Sequence, residues 1–221
     1  MLSTYVAAIR RRQPEGPYVL CGYSFGGMIA FEMAKKLESL NLKVGFLASF
    51  NFPPRIKFRM QELDWLEIVL NLAAFLRLIP EETAVAEAAA LHQVPHLSED
   101  DVLNWLMKCA PTRRLLELDM SREKLRYWAH LSVSLHGLAH EYEPSGKVHT
   151  MDVFYAKPLL SVGRNKTVWL ESHLKKWEGF VEGGEVRYHD CVGNNWTMLD
   201  GENCWGFQKA LKDAMAKRGV L

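Results

Sequence analysis

Short apolar runs and amphipathic stretches alternate in the first quarter of the chain. The runs Tyr18–Gly22 and Lys43–Phe50 are almost continuously apolar, as expected of strands buried on both faces of a parallel sheet. The intervening stretch Phe25–Leu40 has apolar residues at the spacing of an amphipathic helix. Because parallel strands need a crossover connection, this order predicts a strand–helix–strand unit.

The same alternation returns near the end of the chain, after a long purely helical pattern. Predicted strands are Val148–Ala156 and Glu185–Asp190, and predicted helices are Lys166–Trp177 and Gly201–Arg218. In the middle, helical spacing occurs four times without a strand, over Glu62–Ile79, Glu81–His92, Ser98–Cys109 and Ser121–Tyr142. Consecutive helices without strands are not crossovers, and they indicate an inserted lid over the strand ends. We therefore predict an α/β core over 1–54 and 145–221, and a helical lid over 55–144.

A glycine-rich motif joins the first predicted strand to its helix. Residues Gly22 to Gly27 read G-Y-S-F-G-G, and G-x-S-x-G in this position is typical of a nucleophile elbow, which exposes a serine hydroxyl at the carboxyl edge of an α/β-hydrolase sheet. We expect Gly22 and Gly26 to permit close backbone approach and Ser24 to adopt strained dihedral angles. The N–H of Phe25, at the helix N-terminus, is the expected oxyanion donor. A chance glycine-serine loop is the alternative, which the flanking strand and helix disfavour.

Bulk composition narrows the functional class. The chain has 221 residues, 48% hydrophobic and 24% charged, with a net charge of +1, so nothing indicates a nucleic-acid partner. Its four cysteines are scattered without a C-x-x-C pair, as expected of reduced thiols. Neither a signal peptide nor an apolar run of membrane-spanning length is recognisable. We expect a cytoplasmic protein that binds neither nucleic acid nor membrane.

Several segments together resemble the thioesterase domains that terminate polyketide, nonribosomal-peptide and fatty-acid synthases. They are P-x-G-P-Y-V-L-C-G-Y-S-F-G-G, the helical lid, V-F-Y-A at Val153–Ala156, and G-N-N-W-T-M-L at Gly193–Leu199. The resemblance extends nearly end to end. It implies that Ser24 attacks an acyl or polyketide thioester on a carrier protein or coenzyme A, and that water or an internal nucleophile then releases the product. No cofactor is implied.

Three features depart from the family pattern. Asn195 stands where the family has its histidine, in a stretch that normally reads G-D-H-F-T-M-L, and an amide cannot take up and return the serine proton. The family's acid usually follows the strand after the elbow helix, but Leu47–Asn51 contains no carboxylate. In the family, further strands and an oxyanion loop precede the elbow; one predicted helix precedes it here, so we expect that loop to be missing. We therefore expect a mostly parallel sheet, reduced at its N-terminal edge.

Histidines elsewhere in the chain are candidates to replace the missing base. His189, at the end of the last predicted strand, is the candidate base; the alternative is a strand histidine that faces solvent or a helix. His136 and His140 share a helix face, but the glutamate that accompanies such pairs in zinc peptidases is missing. We predict no metal site.

The acyl pocket is expected to be lined by aromatic and aliphatic side chains around the elbow. Tyr23 and Phe25 flank the serine and are expected to form its walls. The remaining predicted lining residues are Trp65, Val69 and Leu72 on the first long lid helix, and Trp196 at the back of the site. Ordinary core packing is an equally good explanation for the lid residues and for Trp196.

Three functions remain open. The first is a thioesterase-like acyl-transfer enzyme of secondary-metabolite biosynthesis, which hydrolyses or cyclises its substrate. The second is a non-hydrolytic cyclase or ligand-binding pseudoenzyme that positions a polyketide-like intermediate. The third is an assembly partner, since an exposed sheet edge invites pairing within a homodimer or with a larger synthase.

Overall fold

A four-stranded parallel sheet organises the α/β part of the chain in the computed structural model, which describes residues 2–221. The strands are Tyr18–Tyr23 (β1), Val44–Phe50 (β2), Asp152–Lys157 (β3) and Arg187–Asn194 (β4). They pair in that order, and each pairing is parallel. Because parallel strands end at the same edge, the residues that follow β1, β2 and β4 lie along one edge of the sheet.

Ten α-helices accompany the sheet within the described residues. They are Leu2–Arg12 (α1), Gly26–Glu38 (α2), Lys57–Glu62 (α3), Trp65–Phe75 (α4), Glu81–Leu91 (α5), Glu99–Cys109 (α6), Thr112–Glu117 (α7), Arg122–Gly137 (α8), Lys166–Ser172 (α9) and Gly201–Lys217 (α10). Two 3-10 segments, Leu174–Phe180 and Glu182–Gly184, precede β4. Among residues 2–221, no helix has the length and apolar character needed to cross a bilayer.

The chain divides into two compact units. One, the α/β unit, comprises the described residues up to Arg55 together with Pro144–Leu221, and the other, the helical unit, comprises Ile56–Glu143. The helical unit has its own core, centred on Val69, Leu103 and Leu125. Capping boxes at Asp64 and Ser98 begin α4 and α6, because each side chain accepts from the third backbone N–H of its helix.

Burial in the sheet follows the position of each strand. β2 has a neighbour on both sides and is buried almost throughout, which explains its continuous apolar sequence. Phe50 on β2 packs edge-on against Phe154 of β3 at 5.4 Å and against Phe207 of α10 at 4.9 Å between ring centroids. β1 lies at the edge of the sheet, and its Val19 and Cys21 are exposed.

Several element boundaries differ from those predicted. β3 begins at Asp152, and Val148 makes only an isolated bridge with Val181. β4 continues past Asp190 to Asn194, so the strand reaches the candidate site. Helices α3 and α7 were not predicted, because six residues are too few to display a helical period. α9 ends at Ser172, and the rest of its predicted span is a 3-10 segment.

A buried carboxylate ties the start of β3 to β4 and α10. Asp152 is fully buried; its Oδ2 accepts from Arg218 Nε at 2.8 Å, and its Oδ1 lies 2.6 Å from His189 Nε2. The Arg218 guanidinium also donates to the Met151 carbonyl at 3.1 Å. The buried charge is thus hydrogen-bonded on both oxygens, as burial of a charge requires.

Asp152→Asn is expected to lower the free energy of unfolding by about 3 kcal/mol, because it leaves the Arg218 charge without its buried counter-ion. Urea denaturation followed by circular dichroism measures the change. The matched control is Asp213→Asn on the exposed side of α10, for which a change within about 0.5 kcal/mol is expected. Equal losses in the two variants would contradict the stabilising role of the cluster.

Candidate active site

The turn between β1 and α2 holds Ser24 in a left-handed backbone conformation. Its φ is +51°, which is uncommon for a residue with a side chain. The turn is closed by two backbone hydrogen bonds, from Ser24 N to the Phe50 carbonyl at 3.2 Å and from Gly27 N to the Ser24 carbonyl at 2.9 Å. Strain of this kind is typical of functional sites, where the surrounding structure maintains it.

Glycine is required on the strand side of this turn. A Cβ on Gly22 would lie 2.0 Å from the Gly26 carbonyl oxygen, so only hydrogen fits there. The equivalent expectation for Gly26 is wrong, because a Cβ at that position meets nothing within 4 Å. The second close approach is at Gly27, where a Cβ would lie 2.5 Å from Ser49 Oγ on β2. The crowding therefore falls one residue later than predicted.

The N-terminus of α2 faces the turn with free backbone donors. Phe25 is the N-cap residue, and no side chain caps this helix. Within residues 2–221, the Phe25 N–H takes part in no hydrogen bond. An unpaired N–H beside a helix N-terminus is suited to stabilise a developing oxyanion. The Phe25 ring, half-buried, packs edge-on against Phe52 at 6.4 Å.

Two asparagines meet at the carboxyl edge, at the positions where the resemblance expects an acid and a histidine. Asn51 directly follows β2, and Asn195 directly follows β4. Both are buried, with 1% and 5% of their surface exposed. Asn51 Nδ2 donates to Asn195 Oδ1 at 3.1 Å, although 144 residues separate them. The spatial pairing of acid and base is thus reproduced by two amides.

The neighbours of Asn51 fix the direction of this hydrogen bond. Asn51 Oδ1 accepts from the Ala156 N–H at 3.1 Å and from Trp169 Nε1 at 2.9 Å, and neither group can act as an acceptor. Asn51 Nδ2 donates to the Lys157 carbonyl at 3.2 Å as well as to Asn195. The amide nitrogen of Asn51 must therefore face Asn195.

Asn195 consequently offers a donor to its surroundings. Its Oδ1 is used by Asn51, and its Nδ2 lies 3.4 Å from the Tyr23 hydroxyl oxygen. The Tyr23 hydroxyl in turn donates to the Asn195 carbonyl oxygen, which joins the residue before Ser24 to the turn after β4. The Asn195 side chain therefore cannot act as a general base.

The remaining predicted site residues lie in varied surroundings. His189 Nε2 lies 2.6 Å from Asp152 Oδ1, and the His189 ring stacks on the Phe154 ring at 4.5 Å, so both contacts are with β3. Val69 is fully buried in the core of the helical unit, whereas Trp65 and Leu72 are half-buried. Trp196 is half-buried in the turn after β4. Among residues 2–221, no three side chains of metal-binding type gather at one point.

Asn51 and Trp169 were missed by sequence reasoning as members of the site. Asn51 was noted only for the carboxylate that it replaces. A polar residue placed directly after a buried strand was the available signal, because such a residue lies at the carboxyl edge of a parallel sheet. Trp169 gave no signal, since its contact with Asn51 spans 118 residues.

Known proteins match this chain at the level of both sequence and fold. The model of the thioesterase domain family matches residues 1–140. The nonribosomal peptide synthetase acyN of Ascocoryne sarcoides is 44% identical over 221 residues, which is 100% of this chain and 24% of that protein. The aspulvinone E synthetase melA of Aspergillus terreus is 41% identical over 219 residues, 99% of this chain and 23% of that protein. The chain thus spans about a quarter of the length of these curated relatives.

Solved structures with a similar fold include a four-domain nonribosomal peptide synthetase bound to AMP and glycine. It matches with a TM-score of 0.73 and 20% identity, over 97% of this chain and 15% of that one. The thioesterase domain that cyclises the lipopeptide surfactin matches with a TM-score of 0.56 and 22% identity, over 96% of this chain and 74% of that one. At these identities the matches establish the fold.

Gly22→Ala is expected to lower the free energy of unfolding by about 3 kcal/mol or more, because its Cβ would overlap backbone that cannot move aside. Gly26→Ala is the matched control, and its added methyl group meets open space in the first turn of α2. We expect it to be neutral or stabilising by up to about 1 kcal/mol. Chemical denaturation of both variants provides the comparison, and similar losses would show that the turn does not depend on Gly22.

Proposed function

Because the chain belongs to the thioesterase domain family and has the α/β-hydrolase fold, we propose that it is a thioesterase-like acyl-transfer enzyme with Ser24 as its nucleophile. The proposed substrate is an acyl or polyketide thioester on a carrier protein or coenzyme A, in the secondary-metabolite biosynthesis that its synthetase relatives suggest. The observation that carries the proposal is the left-handed Ser24 beside an unpaired N–H at the start of α2.

In the proposed first step, Ser24 Oγ forms an ester bond with the acyl carbon. The carbon–sulfur bond breaks, and the thiol leaves with the proton that the serine gives up. The Phe25 N–H stabilises the negative oxygen of the tetrahedral intermediate, a contribution of about 3 kcal/mol for one such donor. Tyr23 and Phe25, half-buried on either side of the serine, form the adjacent pocket walls.

Release of the acyl group is the step that the paired amides affect most. A family base would activate water or an internal hydroxyl, and Asn195 supplies only an N–H donor. Hydrolysis is therefore expected to be slow. Cyclisation by a nucleophile within the acyl chain depends more on positioning, which a fixed amide donor provides.

The second candidate function is a non-hydrolytic cyclase or binding protein that positions a polyketide-like intermediate. The direction of the Asn51–Asn195 hydrogen bond favours it, since a donor at this edge can hold a carbonyl oxygen without any covalent step. Ser24 would then act as a hydrogen-bond donor only. A homodimer, or a complex with a synthase, is compatible with either function.

Covalent labelling separates the two candidates. Incubation with an alkyl fluorophosphonate is expected to add one phosphonyl group to the natural chain and none to Ser24→Ala, with intact-mass spectrometry as the readout. Labelling should be slow, because no side chain identified at the site removes the serine proton. An unmodified natural chain, with a product profile that Ser24→Ala leaves unchanged, would favour the non-covalent function.

Restoration of turnover is expected to require changes at both asparagines. In Asn195→His alone, Asn51 Nδ2 donates to the imidazole Nδ1, so the ring proton is forced onto the nitrogen that should accept from Ser24. A carboxylate at position 51 reverses that bond and frees the acceptor. Replacing the buried aspartate of a serine protease by asparagine lowers kcat about 10⁴-fold through this wrong tautomer.

We therefore expect Asn51→Asp/Asn195→His to hydrolyse an acyl N-acetylcysteamine thioester at least about 10²-fold faster than Asn195→His. Asn51→Asp alone is the control and should remain near the rate of the natural chain, because position 195 still lacks a base. If Asn195→His matched the double variant, the proposed control of the tautomer by Asn51 would be wrong.

A further inference from the structure

A cavity adjoins the candidate site at the ends of β3 and β4. Its volume is about 450 Å³, within the range of small-molecule sites. The lining residues are Lys157, Lys166, Asp190, Cys191, Val192, Gly193, Asn194 and Thr197. All of them belong to the α/β unit, and Gly193, Asn194 and Thr197 also belong to the Gly193–Leu199 motif.

The cavity is linked directly to the paired amides. Asn194, in its wall, immediately precedes Asn195. On the opposite strand, the Lys157 carbonyl accepts from Asn51 Nδ2 at 3.2 Å, and Lys157 is the register partner of Asn194. The cavity wall therefore includes Asn194, the neighbour of Asn195 in the sequence. It also includes Lys157, whose carbonyl accepts a hydrogen bond from Asn51.

The charges around the cavity leave one positive charge in excess. Lys166 forms an ion pair with Asp190, and its Nζ also donates to the Cys191 carbonyl at 2.7 Å. Burial raises the pKa of the Cys191 thiol to about 11, so this side chain remains neutral. Within the part of the chain that the structure describes, the Lys157 ammonium has no ion-pair or hydrogen-bond partner.

Two of the lining residues, Lys157 and Lys166, carry ammonium donors with capacity left for a ligand. Lys157 offers all three of its N–H bonds. Lys166 uses two hydrogen-bond partners and is held over the Tyr155 ring at 5.2 Å, which leaves one donor in a fixed position. The Thr197 hydroxyl already donates to Asn194 Oδ1 and accepts from the Asn194 N–H. Two ammonium donors beside one carboxylate fit a singly charged oxyanion better than a dianionic phosphate, which Asp190 repels.

We propose that this cavity is a carboxylate-binding subsite, in which Lys157 and Lys166 hold the free carboxylate of a small organic acid. The role of the subsite in acyl transfer rests on the proposed function. In that role, the subsite selects acyl chains or products that carry a second, ionised carboxyl group. The bound anion would sit beside Asn195 and set the distance between that group and the acyl carbon. Binding itself needs no covalent chemistry.

The test uses the Ser24→Ala form of the full chain, so that no acyl transfer contributes. Binding of hexanoate is followed by two-dimensional NMR titration, with 1-hexanol as the uncharged analogue and methyl phosphate as the phosphate probe. Hexanoate is expected to shift amide signals of residues lining the cavity and to bind at least about tenfold more tightly than 1-hexanol, since a charged hydrogen bond is at stake. Adding Lys157→Met should weaken hexanoate binding by about tenfold.

Lys209→Met on the exposed face of α10 is the matched control and should leave hexanoate affinity unchanged. Equal affinities for Lys157→Met and Lys209→Met, or no shifts around the cavity, would overturn the proposal. Tighter binding of methyl phosphate than of hexanoate would also overturn it, in favour of a phosphate site. Fluorophosphonate labelling of Ser24 is scored separately, so failure of the subsite and failure of the proposed function are distinguishable.

Discussion

The carboxyl edge of the sheet depends on the hydrogen bonds of one buried amide, that of Asn51. Its oxygen accepts from β3 and from the indole of α9, and its nitrogen donates to the end of β3 and to the turn after β4. The side chain thereby joins the end of β2 to β3, to α9 and to the turn after β4. Both of its N–H donors and both acceptor positions of its oxygen are used. Leaving any of the partners unpaired in a buried setting would cost about 1–3 kcal/mol. Asn51 therefore stabilises the sheet edge, and it also determines that Asn195 presents its N–H donor to the neighbouring site.

The turn that holds Ser24 and the amide pair at positions 51 and 195 are separate features of this architecture. The strained turn at Ser24 is closed by backbone hydrogen bonds to Phe50 of β2 and from Gly27, and neither bond involves the Asn195 side chain. The chemistry of positions 51 and 195 is set by long-range contacts between strand ends. The turn at Ser24 can therefore form independently of the side chains at positions 51 and 195. Here a half-buried Ser24 and an unpaired Phe25 N–H occur together with two hydrogen-bonded amides.

Local patterns predicted more of this structure than non-local ones. The strands, α2 and the elbow were readable because continuous apolar runs and the G-x-S-x-G spacing report directly on nearby backbone. The close approach was predicted at Gly26 but occurs at Gly27, because the crowding atom belongs to Ser49 on another strand. The engagement of His189 by Asp152 was not foreseen for the same reason. The cavity beside Lys157 brings together residues of β3, α9 and β4 that lie far apart in the sequence, so no local pattern indicated it.

The direction of the bond between the two amides also has an evolutionary consequence. At the contact between the two positions, a carboxylate at position 51 is compatible with either imidazole or amide at position 195, because the amide can rotate to donate. An amide at position 51 is compatible with the amide, but it imposes the unreactive tautomer on imidazole. Any lineage passing from a carboxylate–imidazole pair to the present one avoids that unproductive combination only if position 195 changes first. The return must follow the reverse order, so the direction of this hydrogen bond determines the order in which the two positions can change.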